Sequence, residues 1–200
     1  MTRRRTPSTL FPPRAARAFA LCATLLAGCA GDAAYQGADL TALYRRVEVA
    51  KAGAQGPVPV AIRGTPFPEL PRETLAAAVI DALGRAPAFQ PMRPTAGDPG
   101  PRAVDYRMVL AFGELPSGPE GLCQGPDAPT VSTSPRDAAM SFCIGARMLS
   151  SARGRMLRPL RDPADPAFAD FLGGLAAELL PLRNPQLEIR SRTCRSVLPC

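Results

Sequence analysis

The 200-residue sequence has no histidine. This excludes imidazole metal ligands, Ser-His and Cys-His catalysis, and switching by histidine protonation. Lysine is nearly absent as well: Lys51 stands alone, and Glu48, three residues before it, excludes a Ser-x-x-Lys dyad. There is no Gly-x-Gly-x-x-Gly, no phosphate-binding glycine-lysine loop and no Gly-x-Ser-x-Gly elbow. The excess of positive charge is also missing from most of the chain. The formal charge is +7, yet Arg3, Arg4, Arg5, Arg14 and Arg17 lie within the first 28 residues without an acid among them. The remainder holds 19 basic against 17 acidic residues, a net of +2, which argues against nucleic acid as a partner.

What is present is apolar enough to fold. Proline and glycine make up 41 of 200 residues, but 46% of the chain is hydrophobic, so disorder is not implied. Beyond residue 28 there remain 172 residues, enough for one domain. A chain of that size buries roughly 70% of its unfolded surface and needs no metal or cofactor for stability.

The first residues read as a targeting signal. A long arginine-bearing segment precedes an apolar run from Ala18 to Leu26, nine residues against the roughly 20 needed to span a bilayer. The run closes in Leu26-Ala27-Gly28-Cys29, which resembles the lipobox of bacterial lipoproteins. The resemblance implies diacylglyceryl transfer to the Cys29 sulfur, cleavage before it and N-acylation, with palmitate-type chains. Three acyl chains suffice for lasting attachment to the bilayer. Ala30, where inner-membrane lipoproteins often carry aspartate, implies by the same resemblance the periplasmic face of the outer membrane. The expected organisation is a signal peptide at 1–28, a tether at 29–38 and a single periplasmic domain at 39–200. Residues 30 to 38 would reach at most about 30 Å when extended.

Cys22 leaves with the signal and Cys29 carries lipid, leaving Cys123, Cys143, Cys194 and Cys200. Four cysteines allow three pairings, and spacing alone does not choose among them. The periplasm favours disulfides, and local closure suggests Cys123–Cys143 and Cys194–Cys200, stabilising by roughly 3 and 2 kcal/mol. A zinc site of four thiolates would lack any Cys-x-x-Cys knuckle, and no metal is expected.

Along the body, Asp39 is a candidate cap for a short helix carrying Leu40, Leu43, Tyr44 and Val47. Val58, Val60 and Ile62 alternate as a strand, which Pro59 pushes toward a sheet edge. Leu75, Val79, Ile80 and Leu83 stripe a helix over 71–83. Residues 85 to 103, with five prolines, read as an irregular loop. A strand follows over 104–112, and another begins near Ala138, with Met140, Phe142, Ile144, Ala146 and Met148 on one face. That alternation puts Cys143 on the opposite face, so a bridge to Cys123 folds the 114–137 segment over the outside of the sheet. Asp165-Pro166 opens a second amphipathic helix that Pro181 ends. The fold class is α+β: a small antiparallel sheet of about three strands with two or three helices on one face.

Arg147, Arg153, Arg155, Arg158 and Arg161 form a basic stretch without an acid between them. Arg153, Arg155 and Arg158 are the candidates for contact with an anionic surface, though no aromatic residue interleaves them. The carboxylate pairs Glu69 with Glu73, and Asp162 with Asp165, fit helix starts and turns. The pattern Val60-x-Ile62-x-Gly64-x-Pro66-Phe67, Tyr106 to Leu110, then Phe142-Cys143 is similar to lipoproteins of Gram-negative bacteria with high-GC genomes, and this implies no activity. The expected function is a non-catalytic accessory or binding lipoprotein with an envelope protein or cell-wall partner. The alternative is an envelope-polymer hydrolase. It requires two carboxylates roughly 5 to 9.5 Å apart, one with a raised pKa.

Overall fold

The segment Tyr106–Phe112 is apolar on both sides, and a strand of that kind must be covered on both. Around it the structure, a computed structural model, describes residues 31–99 and 105–187. The strands are β1 (Ala33–Leu40), β2 (Val58–Arg63), β3 (Pro94–Ala96), β4 (Tyr106–Phe112), β5 (Glu114–Pro116), β6 (Thr130–Ser132), β7 (Asp137–Ile144) and β8 (Arg147–Met156). The α-helices are α1 (Arg46–Gln55), α2 (Arg72–Arg85), α3 (Gly121–Gln124) and α4 (Pro166–Leu179). Six strands form one sheet in the order β1-β8-β7-β4-β2-β3, and β5 pairs with β6 separately.

This corrects the expected three-stranded antiparallel sheet. The large sheet is mixed: β2 runs parallel to both β3 and β4, and the other pairings are antiparallel. Helix α2 is the crossover that the parallel β2–β4 pair requires. Three strands evade the alternation rule for different reasons. β3 is three residues long and lies inside the proline-rich segment. β1 is built from small residues, with Tyr35 and Leu40 its only large apolar side chains. β8 carries arginines on its outer side, and a register shift opposite Phe142 and Cys143 breaks its pattern. The single strand expected past Ala138 is therefore a hairpin, turning at Gly145-Ala146, with Ile144 opposite Arg147.

Other boundaries move too. The expected tether at 29–38 is for most of its length the edge strand β1, and the body begins with Asp32, whose carbonyl accepts the Leu157 N–H. The helix expected after Asp39 starts later, at Arg46, because the chain is still paired to β8 through Leu40. Leu43 and Val47 are half exposed, while Val49 and Ala52 are the buried positions of α1. Pro59 does not confine β2 to an edge. The β2–β4 ladder starts at Val60, so the missing N–H removes no bond. Helices α2 and α4 lie where their stripes place them, α4 capped by the Asp165 carboxylate accepting from the Ala167 N–H.

The two faces of the sheet are closed differently. On one, α1, α2 and α4 supply Val49, Leu75, Val79, Leu83, Phe168 and Phe171 against Met108, Leu110, Phe112, Met140 and Phe142. Phe168 lies edge-on to Phe67 at 5.3 Å and tilted against Phe112 at 6.3 Å. On the other, the segment from β5 through α3 to β6 folds back, laying Leu115, Leu122 and Cys123 over Val109, Ala111, Ala139 and Cys143. A disulfide joins Cys123 to Cys143 beneath it. This is the expected pairing. Cys194 and Cys200 lie outside the described residues, as does Cys29.

Edge strand β1 is pinned by one side chain. The Tyr35 ring stacks on Phe171 at 5.9 Å, and its hydroxyl donates to the Phe171 carbonyl at 3.3 Å. It fits because positions 154 and 174 are glycine: a Cβ on Gly174 would meet the Tyr35 hydroxyl at 2.3 Å, and one on Gly154 would meet the Phe171 ring at 2.9 Å.

Candidate functional site

Strand β3 stops at Ala96 while β2 continues to Arg63, so the sheet has a notch beyond β3. Helix α2 starts across this notch. The result is a crevice of about 250 Å³ at the carboxyl ends of parallel strands, the position where open sheets of this kind hold ligands. Val60, Ile62, Leu75, Ala76 and Ala96 give it apolar walls, and Arg63, Arg72 and Asp98 give it charge. Gly64, with φ +66°, makes the turn at its base. A Cβ there would lie 2.2 Å from the Phe112 carbonyl oxygen, so only glycine fits.

The charges do not balance. Asp98 is shared between two guanidinium groups, 3.2 Å from Arg107 Nη1 and 3.7 Å from Arg63 Nη2. Arg107 is fully buried, and Nη2 donates to the Cys123 carbonyl at 2.6 Å while Nε has no hydrogen-bond partner. Burial lowers its pKa, with Asp98 opposing that shift. Arg63 Nη1 donates to the Gly125 carbonyl at 2.9 Å, but its Nη2 is buried and hydrogen-bonded to nothing. Arg72, exposed in the first turn of α2, forms no ion pair among the described residues. Glu114 lines an adjoining hollow with Arg63 without pairing to it. Two arginines thus face one crevice, and the one carboxylate in it is already divided between Arg63 and Arg107.

A larger groove, about 710 Å³, runs between α2 and α4 and is lined mainly by alanine, proline and glycine. Two of its carboxylates are matched locally, Asp81 with Arg85 at 2.7 Å and Asp165 with Arg158 at 2.8 Å, while Asp170 lines it without an ion pair among the described residues.

Each of the arginines expected to contact an anionic surface has a partner within the fold. Arg153 donates to the Pro116 carbonyl at 2.9 Å. Arg155 chelates the Asp137 carboxylate, and Arg158 pairs with Asp165 and Asp32. The basic stretch is strand β8 and the turn after it: Arg153 and Arg155 share the outer face of the sheet, and Arg158 lies past the strand's end. Of the two expected carboxylate pairs, Asp162 and Asp165 are likewise committed. Asp162 accepts from the Ala164 N–H at 2.8 Å, Asp165 caps α4, and Glu69 and Glu73 are exposed. Hydrogen bonding from Arg155 holds Asp137 below its ordinary pKa, and Arg158 does the same to Asp165. Glu48 is lowered by Lys51 and by the Tyr106 hydroxyl, which donates to it at 2.5 Å. Burial, then this bond, pushes Tyr106 up to about 12.

The crevice residues escape a reading of the sequence. Arg63, Arg72 and Asp98 belong to no motif, and only the termination of β3 brings them together. The one signal was Gly64 after an alternating strand.

No protein-family model and no curated protein matches the chain. Two solved structures are similar to it: the PelC dodecamer from Paraburkholderia phytofirmans and a point variant of it from the same organism. Each is 12% identical with a TM-score of 0.38. They cover 74% and 76% of this chain and 98% and 99% of the PelC chains. A likeness of that degree carries no inference about function or assembly.

Proposed function

We propose that the chain is a lipid-anchored lipoprotein of the bacterial envelope, held by acylated Cys29 on the periplasmic face of the outer membrane. There it serves as a non-catalytic binding or accessory module for an envelope protein or a cell-wall component. The observation that carries the reading is the closed Cys123–Cys143 disulfide in a chain whose leader ends in Leu26-Ala27-Gly28-Cys29. Disulfides persist in oxidising compartments, where such a leader delivers a protein. Only Ala30 and Gly31 lie between Cys29 and Asp32, the first residue of the folded body. The lowered pKa values of Glu48, Asp137 and Asp165 make each of these three a poor general acid, a role that needs the pKa raised.

The test compares wild type with Cys29→Ser in intact envelopes, by fractionation, metabolic palmitate labelling and crosslinking pull-down. Label and membrane association should both vanish in the variant, together with any crosslinked partner. A wild type that is unlabelled and fractionates as soluble protein overturns the reading.

A further inference from the structure

The crevice beside β2 has a surplus of cationic donors and an apolar floor. We propose that it binds the oxyanion group, phosphate or carboxylate, of a small ligand, with Arg63 and Arg72 as the anion's donors and the apolar part of the ligand against Ile62, Leu75 and Ala96. This names a ligand class for the binding module above and does not depend on the lipid anchor.

Three observations carry it. Arg63 keeps a buried Nη2 hydrogen without an acceptor, although the same side chain has committed Nη1 to the Gly125 carbonyl. A guanidinium nitrogen stripped of water and held only by a 3.7 Å ion pair is costly, and an oxyanion that the Arg63 fork turns to meet in the crevice removes that cost. Asp98 cannot serve as the missing acceptor for both cations. It lies 3.2 Å from Arg107 and only 3.7 Å from Arg63 Nη2, beyond hydrogen-bond range. Arg72 lines the same crevice from α2 and forms no ion pair among the described residues, so two guanidinium groups border one space. That arrangement suits a multi-oxygen anion more than a chloride ion. The volume of about 250 Å³ admits an oxyanion with a few attached carbons. Arg107, by contrast, is locked between Asp98 and Cys123; its role is to position Asp98, and it does not touch the ligand.

The experiment titrates full-length protein in detergent with sodium phosphate, sodium acetate and sodium glucuronate in turn, following backbone amides by ¹H–¹⁵N NMR at fixed ionic strength. Saturable shifts at Gly64, Arg72 and Gly97 are expected with at least one probe. Arg72→Gln, an exposed change that leaves the core intact, should weaken that binding about tenfold, the usual effect of losing one charge-assisted bond. Arg85→Gln, on the same helix and outside the crevice, should leave it unchanged. Saturation by phosphate alone assigns a phosphorylated ligand, and saturation by acetate or glucuronate assigns an acidic sugar or similar carboxylate. Shifts that stay linear with every probe, or that are equal in wild type and Arg72→Gln, overturn the site. Failure here with membrane attachment still lost in Cys29→Ser would remove the crevice and leave the anchor standing.

Discussion

The two faces of the sheet solve the same problem with different means. Among the described residues, thirty buried side chains fill the face under α1, α2 and α4, and nine fill the face under the β5–α3–β6 segment. The first has enough apolar area to hold itself, since fully burying each leucine or phenylalanine side chain contributes about 1.5–3 kcal/mol. The second does not. There a short helix is fastened covalently by Cys123–Cys143, and its last carbonyls are taken by guanidinium groups, Arg107 on Cys123 and Arg63 on Gly125. Where a cover is too small to bury itself, specific bonds replace area. Such a cover is also where polar donors are left over, which is why the candidate crevice adjoins this face.

The contrast can be broken most directly on the helical face. Phe168→Ala removes a ring that is completely buried and touches two others, and should cost about 3–5 kcal/mol in urea unfolding. A loss under about 1 kcal/mol would mean that this face is not held by apolar packing. Replacing both Cys123 and Cys143 by alanine reopens a loop of 20 residues and should cost about 3 kcal/mol. Hydrogen exchange sharpens this test. Amides from 113 to 136 should speed up while those of α2 and α4 hold, and a uniform change would show that the faces are not separable. Arg107→Leu strips the Cys123 carbonyl and one side of Asp98 of their donor, an expected loss of about 1–3 kcal/mol.

The smallest effect concerns the neighbouring residue on β4, which points the other way. Tyr106→Phe deletes the bond to Glu48 and should cost about 1 kcal/mol near neutrality. Its pH dependence is more telling. The hydroxyl pKa is raised from 10.0 to about 12 in the fold, so its contribution is complete below pH 10.0 and is lost as pH rises toward 12. Wild-type stability should fall across that window relative to the variant; parallel curves would dissolve the Tyr106–Glu48 pair.

The sequence disclosed the parts of this fold that are made of large apolar side chains. Leu75, Val79 and Leu83 mark α2, Phe168 to Leu179 mark α4, and Met108, Leu110 and Phe112 mark β4, because these residues repeat with the period of the element they build. It hid the parts stabilised from elsewhere. β1 is written in alanine and glycine and exists because β8 pairs with it. β8 reads as a basic stretch because Arg153 and Arg155 catch the eye, whereas Ala152, Gly154 and Met156 beside them are the inward side. The alternation was visible in principle, but glycine and alanine register weakly on any apolar pattern. Cys143 could be assigned to the outer face from its neighbours alone, and the covering segment followed from that. The crevice could not, since it depends on where β3 ends.

Tyr35, Gly154 and Gly174 come from a strand at the sheet edge, its neighbour and a helix, yet they form one lock. Alanine at 174 would place a methyl within the tyrosine hydroxyl's own volume, and alanine at 154 would press on the ring beneath. Neither glycine can drift while the tyrosine stays; once the tyrosine is lost Gly174 is released, whereas Gly154 is still held by the Phe171 ring. In the history of this chain positions 35 and 174 should behave as a single inherited character, kept whole or abandoned whole, while glycine at 154 outlasts them as long as Phe171 stays.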